Sequence, residues 1–183
     1  MIVVSSTFEQ RLQDSPNDKI VVHAGELVFG KGKKPIFTLL GSCIAITLWH
    51  PRHRFAGLCH FALPEKPPEA PAKLDARYAR DCLKLFEQAA ADRGTQLKEY
   101  RANIFGGGNM LHKHAANSGL SGLEAEWEKQ PIGEKNAAVA FELLLEVNCK
   151  ILKVDVGEFG YRKVYFDPYS GESFVEYNSV IKN

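Results

Sequence analysis

Long apolar runs are missing from this sequence of 183 residues. None approaches the ~18 consecutive apolar residues of a membrane-spanning helix, so no membrane insertion is expected. A dominant charge is missing too. Lysine and arginine number 23 against 22 aspartates and glutamates, a net charge of +1, which gives no electrostatic case for a nucleic-acid partner. The basic group Lys31, Lys33, Lys34 is short, interrupted by glycine, and reads as solvated loop. The four cysteines, Cys43, Cys59, Cys82 and Cys149, are widely and irregularly spaced with no CxxC pair. That excludes a disulfide framework and fits a reducing cytoplasm. Met1 to Gln13 has no basic start followed by a long apolar core, so no export signal is expected. Gly106-Gly107-Gly108 lacks both the Walker lysine and the spaced glycines of a dinucleotide fingerprint; it reads as a tight turn or a close backbone approach. No acid pair stands out for glycoside chemistry, no internal repeat is present, and nothing demands more than a monomer.

What is present suits a single domain over residues 1–183, with a weakly patterned lead-in over 1–18. Ile20-Val21-Val22 and Glu26-Leu27-Val28-Phe29 are short strand candidates. A hairpin follows, with strands near 36–49 and 55–63 around the turn residues His50-Pro51-Arg52-His53. Pro64 to Pro71 is too rich in proline for a helix interior or a central strand. Asp75 is a candidate N-cap for a helix from Ala76 to Asp92, with Tyr78, Cys82, Leu85, Phe86, Ala89 and Ala90 on one face, and Gly94 can end it in the left-handed conformation. Glu99 to Phe105 reads as a strand and Lys113 to Pro131 as a surface loop. A second helix is expected over about Gly133 to Val147, with Ala137, Ala138, Phe141, Leu144 and Leu145 facing inward. Lys150 to Val156, Arg162 to Phe166 and Glu172 to Tyr177 are strands. Without regular βαβ alternation, the expected class is α+β: a mixed or antiparallel β-sheet core layered with at least two α-helices.

One constellation carries chemistry. A two-residue turn at Pro51-Arg52 would place Cys43 directly opposite His60, where Cβ atoms lie about 4.5–5.5 Å apart. A thiol beside an imidazole can become a nucleophile, and the imidazolium can then protonate a leaving amine. Gly41 and Ser42 leave room beside Cys43 for a substrate carbonyl and for an oxyanion hole of backbone N–H groups. The alternative is that Cys43 is a small buried strand residue. Cys59 neighbours His60 but points to the other strand face, and it reads as packing, as do Cys82 and Cys149. Cys43, His50, His53, Cys59 and His60 would also offer soft ligands to zinc, but strand alternation scatters them and His50 and His53 fall at a turn expected to be exposed. His112 and His114 lie on a polar loop.

The same residues resemble a known family. Thr38-Leu39-Leu40-Gly41-Ser42-Cys43 followed by Gly57-Leu58-Cys59-His60-Phe61-Ala62-Leu63-Pro64 is similar to the active-site hairpin of the CheD family, the bacterial chemoreceptor glutamine deamidases. The resemblance continues through Ile104 to Met110, Ile132-Gly133-Glu134-Lys135-Asn136, Asp155-Val156-Gly157, and Arg162 to Asp167 with Gly171, in the family's order. It implies hydrolysis of glutamine side-chain amides on the cytoplasmic region of chemoreceptors, with Cys43 as nucleophile, His60 as general base and Thr38 orienting the histidine. It implies no metal or organic cofactor. It also implies that a CheC-type phosphatase can be a binding partner, so that a regulatory binding protein with weakened catalysis is the alternative function. The chain departs from the family pattern at Gly108, where alanine is common, and at Glu158 and Tyr161, where glycine is.

Overall fold

The computed structural model describes residues 8–110 and 130–181, so the expected loop over 113–131, with His112 and His114, lies almost wholly outside the described residues. Nine strands and three α-helices run in the order α1 (Phe8–Asp14), β1 (Ile20–Val21), β2 (Glu26–Gly30), β3 (Ile36–Leu40), β4 (Ile44–Trp49), β5 (Ala56–Phe61), α2 (Ala79–Ala91), β6 (Arg101–Gly106), α3 (Ile132–Glu146), β7 (Lys150–Val156), β8 (Gly160–Phe166) and β9 (Ser173–Ser179) among the described residues. The strands form a four-stranded sheet, β1-β3-β8-β9, and a five-stranded sheet, β2-β5-β4-β6-β7. Antiparallel pairs dominate, with β1–β3 and β6–β7 parallel, as the α+β reading expected.

Alternation along the central strands explains the layering. Ile44, Ile46 and Leu48 of β4, with Cys59 and Phe61 of β5, pack against Cys82, Phe86 and Ala90 of α2 and Ala140, Leu143 and Leu144 of α3. The intervening positions, Ala45, Ala56, Leu58 and Phe105, pack against Ile36, Leu40, Val164 and Phe166 of the four-stranded sheet. Strands buried on both faces read as near-continuous apolar runs, which is why 44–49 and 55–63 looked so strongly β.

Four expectations need correction. The strand expected over 36–49 is two strands in different sheets, broken at Gly41-Ser42-Cys43. The β4–β5 register pairs Ala45, not Cys43, with His60. The turn is longer than two residues because buried His50 stabilises it: its Nδ1 accepts the backbone N–H groups of Arg52 and His53, both at 3.2 Å, while Arg54 adopts the left-handed conformation at φ 54°. His50 is therefore 1% exposed, whereas the sequence reading set it at an exposed turn. The first helix begins at Ala79, because Tyr78 stays extended in a parallel bridge with Leu63; Asp75 instead accepts the backbone N–H of Arg77 in a preceding turn.

The fourth correction concerns α3. Gly133, Asn136, Ala140, Leu143 and Leu144 face inward, whereas Phe141 and Leu145 are 42% and 57% exposed. The helix is turned because Gly133 lies against the Gly107 backbone and Asn136 bonds inward. Helix periodicity in apolar residues could not register a glycine and an asparagine as the buried stripe.

Gly94 has φ +67° after α2, as expected. Glu158, at a position where the resembling family carries glycine, has φ 63°, a conformation that strains a side chain with a Cβ. Glu158→Gly is expected to stabilise the fold by roughly 0.5–1 kcal/mol, measured as a higher urea midpoint with an unchanged m-value.

Candidate active site

The break between β3 and β4 builds the site. The chain leaves one sheet at Leu40 and enters the other at Ile44, so Gly41-Ser42-Cys43 forms a corner whose three carbonyls have lost their ladder partners. Each finds another donor. Gly108 N–H donates to Gly41 C=O and Gly107 N–H to Cys43 C=O, both at 2.8 Å. The Asn136 side-chain amide donates to Ser42 C=O at 3.0 Å. Among the described residues, neither the Ser42 nor the Cys43 N–H donates to a backbone carbonyl.

The glycine run is required by this closeness. A Cβ on Gly106, which has φ +112°, would lie 2.2 Å from Cys43 O, and one on Gly108 would lie 2.1 Å from Gly160 O. The run is a close backbone approach, as its sequence suggested.

Of the four free cysteines, Cys43 alone is partly exposed; Cys59, Cys82 and Cys149 are buried. Cys59 packs on the helix-facing side of the sheet. Cys82 donates to Ala76 C=O, and burial pushes the Cys149 thiol up to about 12. Strand alternation puts Cys43 and His60 on one face. His60 lies opposite Ala45, and Cys43 joins Ala45 and Leu58 in the cluster between the sheets. The two residues are diagonal rather than directly opposed, an offset for which strand geometry gives a spacing of about 7–8 Å. The shift of register moved the pair along the strand without changing its face.

Thr38 fixes the imidazole. Its hydroxyl donates to Val22 C=O at 2.6 Å, and the same oxygen lies 2.8 Å from His60 Nδ1. With its proton committed to Val22, Oγ1 can only accept from Nδ1–H. Neutral His60 is thereby held in the tautomer whose Nε2 carries the lone pair. Both Thr38 and His60 are buried. Val22 reaches this position because β1 runs parallel to β3, with Val22 N–H bonded to Phe37 C=O.

Burial sets the charge state. It lowers the His60 pKa from its usual 6.5, an effect that bonding to Val22 opposes; nearby His23 adds to the lowering and Glu26, opposite on β2, offsets it. Burial also raises the Cys43 thiol. Both groups are thus pushed toward neutrality, a thiol and an imidazole rather than a preformed ion pair.

Of the residues expected from sequence, Thr38 and His60 are in hydrogen-bonding contact, and Cys43 packs on the cluster between the sheets, at the corner that precedes β4. The zinc alternative does not assemble, since no group of three histidine, cysteine or acidic residues converges among the described residues. Sequence reading missed the Val22 carbonyl and the Asn136 amide as parts of the site. Asn136 left one trace, its place in the Ile132–Asn136 block.

Residues 62–177 match the family model described as CheD chemotactic sensory transduction, a span that contains the glycine run and Asn136 and begins just after His60. A protein of Dechloromonas aromatica (strain RCB), named probable chemoreceptor glutamine deamidase CheD 3, is 38% identical over 159 residues, covering 87% of each chain. A probable chemoreceptor glutamine deamidase CheD of Pseudomonas savastanoi pv. phaseolicola is 34% identical over 162 residues, covering 88% of this chain and 86% of the relative. With such identity along nearly the whole of both chains, and a family match across more than half of this one, the chain belongs to the CheD family.

Proposed function

We propose that this protein hydrolyses the side-chain amide of glutamine residues on the cytoplasmic region of chemoreceptors, giving glutamate and ammonia, with Cys43 as nucleophile, His60 as general base and Thr38 as the residue that orients the base. The observation that carries this reading is the relay Val22 C=O, Thr38 hydroxyl, His60 Nδ1, which frees Nε2 on the face shared with the one partly exposed thiol. A histidine buried for packing alone has no need of an oriented lone pair.

The steps follow from the charge states. As Cys43 Sγ attacks the amide carbon, its proton passes to His60 Nε2, so the thiolate forms only when a substrate carbonyl is present. The C=O electron pair moves to oxygen, which would accept from the Ser42 and Cys43 N–H groups, neither of which donates to a backbone carbonyl among the described residues. Protonated His60 keeps its Nδ1–H on Thr38 and gives the Nε2 proton to the departing nitrogen. Ammonia leaves and a thioester remains. His60 then deprotonates a water that attacks the thioester carbon, and the carbon–sulfur bond breaks to return the thiol and release glutamate. Among the described residues, no helix is long and apolar enough to cross a membrane, and the receptor regions offered as substrate lie in the cytoplasm, so the enzyme acts there.

Cys43→Ala is expected to abolish both ammonia release and the +1 Da mass gain of a chemoreceptor cytoplasmic fragment, a loss of about 10³-fold or more. Continued turnover by this variant would remove Cys43 as nucleophile. Thr38→Val should lower kcat by roughly 10-fold to 100-fold, less than removal of the base itself, a group worth about 10²–10⁴; Thr38→Ser should restore most of it.

The acid limb of kcat/KM should fall at an apparent pKa below the usual histidine value of 6.5, because burial lowers His60. His60 binds protons more weakly in the fold than in the unfolded chain, so its contribution to stability is complete above about pH 6.5 and declines as pH falls below it. A pH–rate profile paired with urea midpoints from pH 5 to 8 checks both signs; an acid limb above 6.5, or stability rising toward acid, contradicts them.

A further inference from the structure

Asn136 stands ninety-four positions from Ser42 in the chain and has no reactive group, yet it touches both halves of the site. One hydrogen of its amide goes to Ser42 C=O at 3.0 Å and the other to Ala62 C=O at 2.9 Å. Ser42 directly precedes the nucleophile, and Ala62 follows the base by two residues. The amide can sit only this way round, because the flipped form would set Oδ1 against two carbonyl oxygens. The side chain is fully buried, and Oδ1 meets no donor among the described residues. A buried acceptor left unpaired costs free energy, but an apolar side chain in this inward-facing place would leave the Ser42 and Ala62 carbonyls without this donor. What distinguishes Asn136 is therefore the pair of carbonyls that it joins.

We infer that Asn136 is a positioning residue, a clamp that holds the Cys43 corner and the end of the His60 strand at the separation that proton transfer needs. The inference rests on the proposed reading of Cys43 and His60. The two carbonyls it joins belong to different segments, the corner between the sheets and the end of β5. No other side chain bonds to both among the described residues. Gly107 and Gly108 fix the corner to the glycine loop, and the β4–β5 ladder begins only at Ile44 with Phe61, so Asn136 adds a side-chain tie at Ser42, ahead of that ladder. Releasing the clamp lets the thiol drift from the imidazole while leaving the substrate surface in place. A displacement of about 1 Å in such a pair can cost about 10²-fold in rate.

The test compares Asn136→Ala with Leu144→Ala, a variant of the same helix that opens a cavity in the helix-facing core away from the corner. Thermal midpoints are measured for both, and kcat and KM are measured per folded molecule on a chemoreceptor cytoplasmic fragment. The expected result is a fall in kcat of about 10-fold to 100-fold for Asn136→Ala with KM within about twofold. Leu144→Ala should lose thermal stability but keep kcat. In a Cys43→Ala background, adding Asn136→Ala should leave fragment affinity unchanged. Equal kcat losses in the two helix variants, or a change confined to KM, would overturn the clamp. Should Asn136→Ala fail to fold, Asn136→Ser is measured in the same way, since its hydroxyl can still reach one carbonyl; if neither folds, Asn136 is a folding element and the inference fails. The outcome is separable from that of the parent reading: an inactive Cys43→Ala together with a fully active Asn136→Ala sinks the clamp alone, whereas an active Cys43→Ala sinks the nucleophile.

Discussion

Three consecutive carbonyls with no strand to bind them are the constraint around which this protein is arranged. Where the chain passes from the four-stranded to the five-stranded sheet, Gly41, Ser42 and Cys43 leave both ladders at once. Left unpaired in this half-buried corner, each carbonyl would cost free energy, up to the ~1–3 kcal/mol of a fully buried group. The glycine loop after β6 and the second turn of α3 supply the missing donors. Supplying them requires backbone against backbone, which a Cβ at Gly106, Gly107 or Gly133 would prevent. The requirement then spreads outward. It fixes the rotation of α3, leaves Phe141 and Leu145 exposed, and holds Cys43 at a rigid bend where its sulfur remains partly open.

Burial gives that rigid bend a chemical consequence. A preformed thiolate–imidazolium pair would need two charges to be maintained in a half-buried space, and the environment pushes the opposite way, raising the thiol and lowering the imidazole. A neutral thiol is a poor target for oxidants and adventitious electrophiles, since the thiolate is the reactive form. In the proposed mechanism, activation is deferred until a carbonyl occupies the corner and its developing oxyanion compensates the charge formed on His60. There the Thr38 hydroxyl would act without adding charge, fixing the tautomer in advance and accepting a stronger bond once the ring is protonated.

Much of this was legible in the amino-acid sequence, and the reason lies in particular residues. Burial of central strands on both faces left apolar runs that no other element produces, so β4 and β5 were plain. The assignment of Cys43 and Cys59 to opposite faces needed only alternation. The turn length was not legible, because His50 acts there through a ring nitrogen accepting two backbone amides, a role that composition does not signal. The break at 41–43 was hidden for a related reason: small residues inside an apolar stretch read as continuous strand until the second sheet is known. The start of α2 moved because Tyr78 pairs with Leu63, a tertiary contact that overrides the local cap.

The expectation that Cys43 and His60 share a face does not depend on the register, and the physical reason bears on how such sites can be found. Changing a hairpin turn from two residues to four slides each pair along the strand but preserves its parity, so two residues predicted to share a face still share it. Parity is set locally, whereas the exact partner depends on the turn. Orientation is a different matter. Thr38 is useful because Val22 takes its proton, and Val22 is in reach because a two-residue parallel strand lies beside β3. Asn136 is useful because a helix far along the chain returns to the corner. Neither relation has a local period, turn type or motif of its own. The reacting groups can thus be inferred from strand alternation, while the groups that aim them emerge only when the chain is folded, since aiming requires contacts that adjacent residues cannot make with one another.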